Sequence, residues 1–156
     1  MENIRPSSLK TKEEVISDLK EILQLVNDGK EGYESAAEAT DNPELKALFA
    51  KYSAQRAGYA QELKSHIATH GGDSTNDDGG LLGVLHRTWI DIKQSLSSNE
   101  DSAILEAVTT GEKAALEKYD IALKNYVEHA DHIDLLQKQR TGIAEALASI
   151  ESYQTV

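Results

Sequence analysis

Apolar residues recur along this chain at alternating steps of four and three, the spacing that lays a continuous stripe along one side of an α-helix. Four such seams can be traced. The first runs Val15, Leu19, Ile22, Val26, Gly29, Tyr33, Ala36, and the second Leu45, Phe49, Tyr52, Arg56, Tyr59, Leu63, His66, His70. The third runs Leu105, Val108, Glu112, Ala115, Tyr119, Ala122, Tyr126, and the fourth Ile133, Leu136, Arg140, Ile143, Leu147, Ile150. No stretch of similar length alternates with the period of two that a strand requires. The pattern predicts an all-α fold: one domain, residues 1–156, containing four long helices.

The joints between seams predict how the helices are connected. Asp41-Asn42-Pro43-Glu44 supplies an N-cap and a first-turn proline between the first two helices. His70-Gly71-Gly72-Asp73 ends the second with glycine just past the last turn. Ser98-Asn99-Glu100-Asp101 caps the third, and Ala130 to Asp134 is a short joint into the fourth. Short links make helices one and two, and three and four, antiparallel hairpins. The segment from about Gly71 to Asn99 is long, and it contains an apolar stripe through Leu82, Leu85, Trp89, Ile92 and Leu96. This predicts a long crossover with a short extra helix, leaving helices two and three parallel. An internal echo supports paired hairpins: Gln55-Arg56-Ala57-Gly58-Tyr59-Ala60 returns as Gln139-Arg140-Thr141-Gly142-Ile143-Ala144.

Composition narrows the function classes. The 156 residues carry a formal net charge of −11, which repels phosphates and argues against a nucleic-acid partner and against an anionic membrane surface. The absence of cysteine excludes disulfides, zinc-thiolate sites and iron–sulfur clusters. No apolar run approaches the ~18 residues of a membrane span, and the start of the chain lacks the apolar segment of a signal peptide, so the expectation is a cytoplasmic protein. Ile16, Leu23 and Leu25 look like spare apolar positions through which a homodimer could form.

Three seam positions are charged where apolar residues are expected: Arg56, Glu112 and Arg140, each near the middle of its helix. Unpaired buried charge is very costly, so these three should meet, with Asp28, Gln55 and Gln139 as flanking candidates and Tyr59 beside Arg56. Two readings stay open. The layer is either a structural ion-pair network that fixes register, or a site for a small anion held by paired arginines.

Other chemistry is sparse. Glu62, His66 and His70 form an i, i+4, i+8 row, and His129 and His132 flank the last joint. Such imidazoles either hold a metal or are polar residues favoured at helix ends. His86, Arg87 and Trp89 share the crossover, where Trp89 suits packing and nothing nearby supplies a nucleophile or paired base. No Gly-rich phosphate loop and no Ser/His/Asp pattern is present, so no catalytic residue and no cofactor is expected.

The phrases DGKEGYESAAEA, LFAKYSAQRAGYAQEL, LHRTWIDIK and GEKAALEKYDIAL resemble the ferritin-like superfamily, most nearly an uncharacterised bacterial branch known as a domain of unknown function. That resemblance covers nearly the whole chain and implies a ferritin-like bundle rather than a reaction. Better-understood relatives, the rubrerythrin-like di-iron proteins, carry a glutamate on helices one and three and Glu-x-x-His on helices two and four. Against that pattern Glu112 with Tyr119 matches, while Val26, Arg56-x-x-Tyr59 and Arg140-x-x-Ile143 stand at the other ligand places. The resemblance therefore implies a bundle without a di-iron centre. The expectation is an uncharacterised, non-enzymatic helical protein, structural or stress-associated. The alternatives are a metal-dependent redox or iron-handling protein with a shifted site, and a small-anion binder at Arg56 and Arg140.

Overall fold

The computed structural model describes residues 11–72, 100–125 and 130–154. Over these the chain forms α1 (Lys12–Ala39), α2 (Pro43–Thr69), α3 (Asp101–Asn125) and α4 (Ala130–Gln154). The helix expected through Leu82 to Leu96, with His86, Arg87 and Trp89, lies outside the described residues, as do Tyr126 and His129.

Local chemistry sets the helix ends. Thr11 caps α1: its hydroxyl accepts from the Glu14 amide at 3.1 Å, and the Glu14 carboxylate accepts from the Thr11 amide at 2.8 Å. Before α2, Asn42 Oδ1 accepts from the amides of Glu44 and Leu45 at 2.9 and 3.3 Å. Pro43 takes the first helical position, where a missing N–H costs nothing. α2 stops where Gly71 adopts a φ of 84°. The amides of Gly71 and Gly72 fold back onto the carbonyls of Ala68 and Ile67 at 3.0 and 2.9 Å, which satisfies the last carbonyls of the helix.

Contacts at the two ends of the bundle fix its topology. At one end Thr40 Oγ1 donates to Asp101 Oδ1 (2.6 Å) and Tyr153 OH donates to Glu44 Oε2 (2.8 Å). At the other, His66 and His70 at the end of α2 meet His132 and Asp131 at the start of α4. α1 and α2 are thus antiparallel, as are α3 and α4, while α2 and α3 run parallel. The chain between residues 72 and 100 consequently joins opposite ends of the bundle, a distance of about 40 Å for a helix of α2's length.

The apolar interior falls into two clusters. One gathers Leu19, Val26, Leu63, Tyr119, Leu136 and Ile143 with their neighbours, and the other gathers Tyr33, Phe49, Val108, Ala146 and Ile150 with theirs. The seams of α1 and α3 are buried as spaced in the sequence. On α2 Tyr59, His66 and His70 are only partly covered, and Ala60 and Ile67 take the inner positions.

α4 departs from its expected stripe. Ile133, Arg140 and Leu147 are half-buried, and the inward residues are His132, Leu136, Gln139, Ile143, Ala146 and Ile150. Both stripes repeat every seven residues and share Leu136, Ile143 and Ile150, so the pattern alone does not separate them. Charge and size do. Turning Gln139 inward sends the Arg140 guanidinium to water, which avoids a second buried cation, and small Ala146 fits a tight approach better than Leu147. Leu23 and Leu25 are also corrected: each is 2% exposed, so neither is spare surface for self-association.

Candidate functional site

Among the described residues, two polar clusters stand out against the apolar bundle. The first lies between the two apolar clusters, where Arg56 of α2 reaches Glu112 of α3. Nη1 donates to Oε1 at 2.7 Å and Nη2 donates to Oε2 at 2.5 Å, a bidentate pair with both residues at 1% exposure or less. Tyr33 of α1 closes it from the third side. Its hydroxyl donates to Glu112 Oε2 at 2.5 Å, and its ring lies under the guanidinium, 5.3 Å from Arg56 Cζ. Gln55 Oε1 accepts from Arg56 Nε at 3.1 Å. The fourth side is backbone: a Cβ at Gly29 would come within 3.2 Å of Arg56 Nη1, so glycine is what lets α1 pass this closely.

The electrostatics follow from that closure. Burial alone would lower the Arg56 pKa, but the charge and hydrogen bonds of Glu112 outweigh it and hold the guanidinium above its ordinary value. Burial and then the Glu112 carboxylate push the Tyr33 phenol well above the usual tyrosine value. Arg56 and Glu112 face each other as cation and anion, and Tyr33 and Gln55 each add a hydrogen bond to the pair.

Arg140 does not join this layer. Its Nε donates to Asp120 Oδ1 at 2.6 Å and its Nη2 to Oδ2 at 3.4 Å, with both side chains partly in solvent. Asp28 is buried and accepts from Gln24 Nε2 at 2.9 Å. Gln139, expected beside the arginines, instead accepts from Tyr119 OH (2.6 Å) and donates to Glu62 Oε1 (3.0 Å) and the Tyr59 carbonyl (3.3 Å). Tyr59 packs its hydroxyl against Gly142 of α4, where a Cβ would overlap it, and its phenol also feels the Arg56 charge.

The second polar region sits at the end of the bundle where α2 finishes and α4 begins. His66 Nε2 and His132 Nδ1 are 2.7 Å apart, and His70 Nε2 is 2.8 Å from Asp131 Oδ2. Asp131 Oδ2 also lies 4.0 Å from His66 Nε2 and 3.9 Å from His132 Nδ1. One ligand atom from each of the four residues falls within 4.8 Å of every other. Coverage is graded, from a buried His132 through His66 and His70 to an Asp131 side chain 55% exposed. Burial and then the neighbouring His70 lower the His66 pKa against the pull of Asp131. An open pocket lined by Lys12, Val15, Thr69 and Gly71 leads to His70, Asp131 and His132.

The sequence pattern places His66, His70, His129 and His132 toward one end and leaves their role open. It does not single out Asp131, although an acid in the first turn of a helix is an ordinary signal. Nor does it single out Asp120, the partner of Arg140. Tyr33 stands in it only as a core aromatic.

The family described as a domain of unknown function, DUF2383, matches residues 14–125. No curated protein matches the chain. A solved structure of a single-site mutant of Mycobacterium smegmatis Dps1 is similar, with a TM-score of 0.79 at 18% identity, covering 92% of this chain and 96% of that one. At that identity the likeness concerns the fold, which is a ferritin-like, all-α four-helix bundle.

Proposed function

The chain belongs to the DUF2383 family, and for this member we propose a non-enzymatic role: a structural ferritin-like bundle whose mid-bundle layer locks helix register. The observation that carries this reading is that the charges of the layer are paired with each other out of water. Both terminal nitrogens of Arg56 are on Glu112, the Tyr33 hydroxyl donates to the same carboxylate, and all three are buried.

A di-iron centre does not fit these residues. It needs several carboxylates and imidazoles facing a shared cation site. Here the Glu112 carboxylate is already held by a guanidinium, and a fixed positive charge occupies the space beside it. A small-anion site fits no better, since it required a second arginine and Arg140 pairs with Asp120 at the edge.

Replacing the pair by apolar residues of similar size, as Arg56→Met with Glu112→Leu, tests the assignment. Exchanges of buried ion pairs for well-packed apolar groups are often neutral or stabilising by about 1–4 kcal/mol. The double variant should therefore fold. Its rate of iron(II) oxidation and its melting shifts with phosphate, sulfate and carboxylates should equal those of the unaltered protein. An oxidation rate or an anion-induced shift that disappears in the double variant overturns the structural reading.

A further inference from the structure

We propose that His66, His70, Asp131 and His132 form a binding site for one divalent transition-metal ion of the zinc type, joining the end of α2 to the start of α4. The proposal is independent of the mid-bundle layer. It rests first on convergence. His66, in the last turn of α2, and His70, its C-cap, are four residues apart, and Asp131 and His132 come from the first turn of α4. A tetrahedral ion with bonds of about 2.0–2.1 Å sets its ligand atoms about 3.3 Å apart. The observed separations of 2.7 and 2.8 Å, and of 3.9 and 4.0 Å, bracket that value. Small side-chain rotations therefore suffice to place all four around one ion.

Helix-end electrostatics does not account for the arrangement. A helix C-terminus favours imidazolium at His66 and His70, and a helix N-terminus favours the Asp131 carboxylate. His132, however, is an imidazole at a helix N-terminus, where a cation is disfavoured, and it is buried against two other imidazoles. The three ring centroids are 4.6, 4.7 and 4.9 Å apart. Rings crowded this closely bring together the ring nitrogens through which imidazoles bind metal.

The two helix ends that carry the cluster are tied together by further contacts. The Gly71–Gly72 turn fixes the end of α2, and one turn below, Glu62 is held by both Lys138 and Gln139 of α4. Such support is what keeps a ligand set within its working geometry. The pocket past Lys12 and Thr69 provides an entry path, and the chain's net charge of −11 attracts cations despite the local Lys12.

The donor set selects the class of ion. Three imidazole nitrogens and one carboxylate suit zinc, copper, nickel or cobalt, whereas magnesium and calcium require oxygen shells. Four protein ligands complete a tetrahedral shell, which is the arrangement of a structural site rather than a catalytic one with an open position.

Full-length protein freed of metal by chelation and dialysis should take up one equivalent of cobalt(II), with the intense visible bands of tetrahedral coordination. Zinc should displace that cobalt and raise the melting temperature, while magnesium and calcium should do neither. Asp131→Asn, at a largely exposed position, keeps the fold and should weaken binding. His66→Ala and His132→Ala should weaken it by more than the ~10–100-fold typical of losing an outer-shell partner. The proposal is overturned by zinc affinity no tighter than high micromolar, by a weak octahedral cobalt spectrum at more than one equivalent, or by binding that survives the three cluster substitutions.

Discussion

The mid-bundle layer and the bundle-end cluster are built from the same kind of material, cationic or potentially cationic side chains facing a carboxylate, and they differ in access. In the layer, Arg56 and Glu112 are out of water, with Tyr33, Gln55 and the Gly29 backbone packed against them. At the end, His66 and His70 are half-covered, and Asp131 stands largely in solvent beside an open pocket. A guanidinium cannot give up its proton and has no lone pair to offer, so Arg56 keeps its charge. Imidazoles exchange protons near neutrality and have lone pairs to offer, so the end cluster can change partners. Burial made the first region a lock, and partial exposure leaves the second free to bind.

The sharpest way to break this contrast is to remove the acid from the lock. Glu112→Gln strands the Arg56 charge in an apolar interior and should cost about 3–5 kcal/mol, read by urea or thermal unfolding. A loss below about 1 kcal/mol would mean that water reaches the layer, and the two regions would then differ little. The Arg56→Met/Glu112→Leu double variant should recover most of the loss.

High pH probes the same seal. Tyr33 and Tyr119 both have phenols raised above the ordinary value, by burial first and then by Glu112 for Tyr33. Because the folded values are raised, the stability these groups contribute is fully present below the unfolded value of about 10, and it is lost as pH rises above it. The melting temperature should fall from about pH 10 upward, and the tyrosinate absorbance of these two residues should appear only with unfolding. Their titration together with the half-buried tyrosines in the folded protein would show the layer to be open.

The smallest effect belongs to the arginine that left the core. Arg140→Ala breaks a partly solvated pair with Asp120 and should shift stability by no more than about 1 kcal/mol. A cost as large as that of Glu112→Gln would restore Arg140 to the layer and revive the anion reading.

Much of the frame is legible in the order of residues. Steps of four and three mark four helices because one face of each must leave water. Asn42-Pro43 and Gly71-Gly72 mark ends because orphan amides and carbonyls need particular residues there. The length of the chain from Gly71 to Asn99 points to parallel second and third helices, since only a long link crosses the whole bundle. The charged residues Arg56 and Glu112 stand out for the same reason, as costly groups on apolar stripes.

What one-dimensional pattern could not decide was rotation and company. A stripe through Leu136, Ile143 and Ile150 can carry either Gln139 or Arg140, and the choice depends on the charge already placed opposite by another helix. Asp120 and Asp131 acquired partners only when α2, α3 and α4 were brought side by side. Periodicity reports which face of a helix is apolar because that is a property of the helix alone. Which polar atoms meet, and whether water can follow them, depends on elements far apart in the chain, and only the tertiary structure supplies those distances.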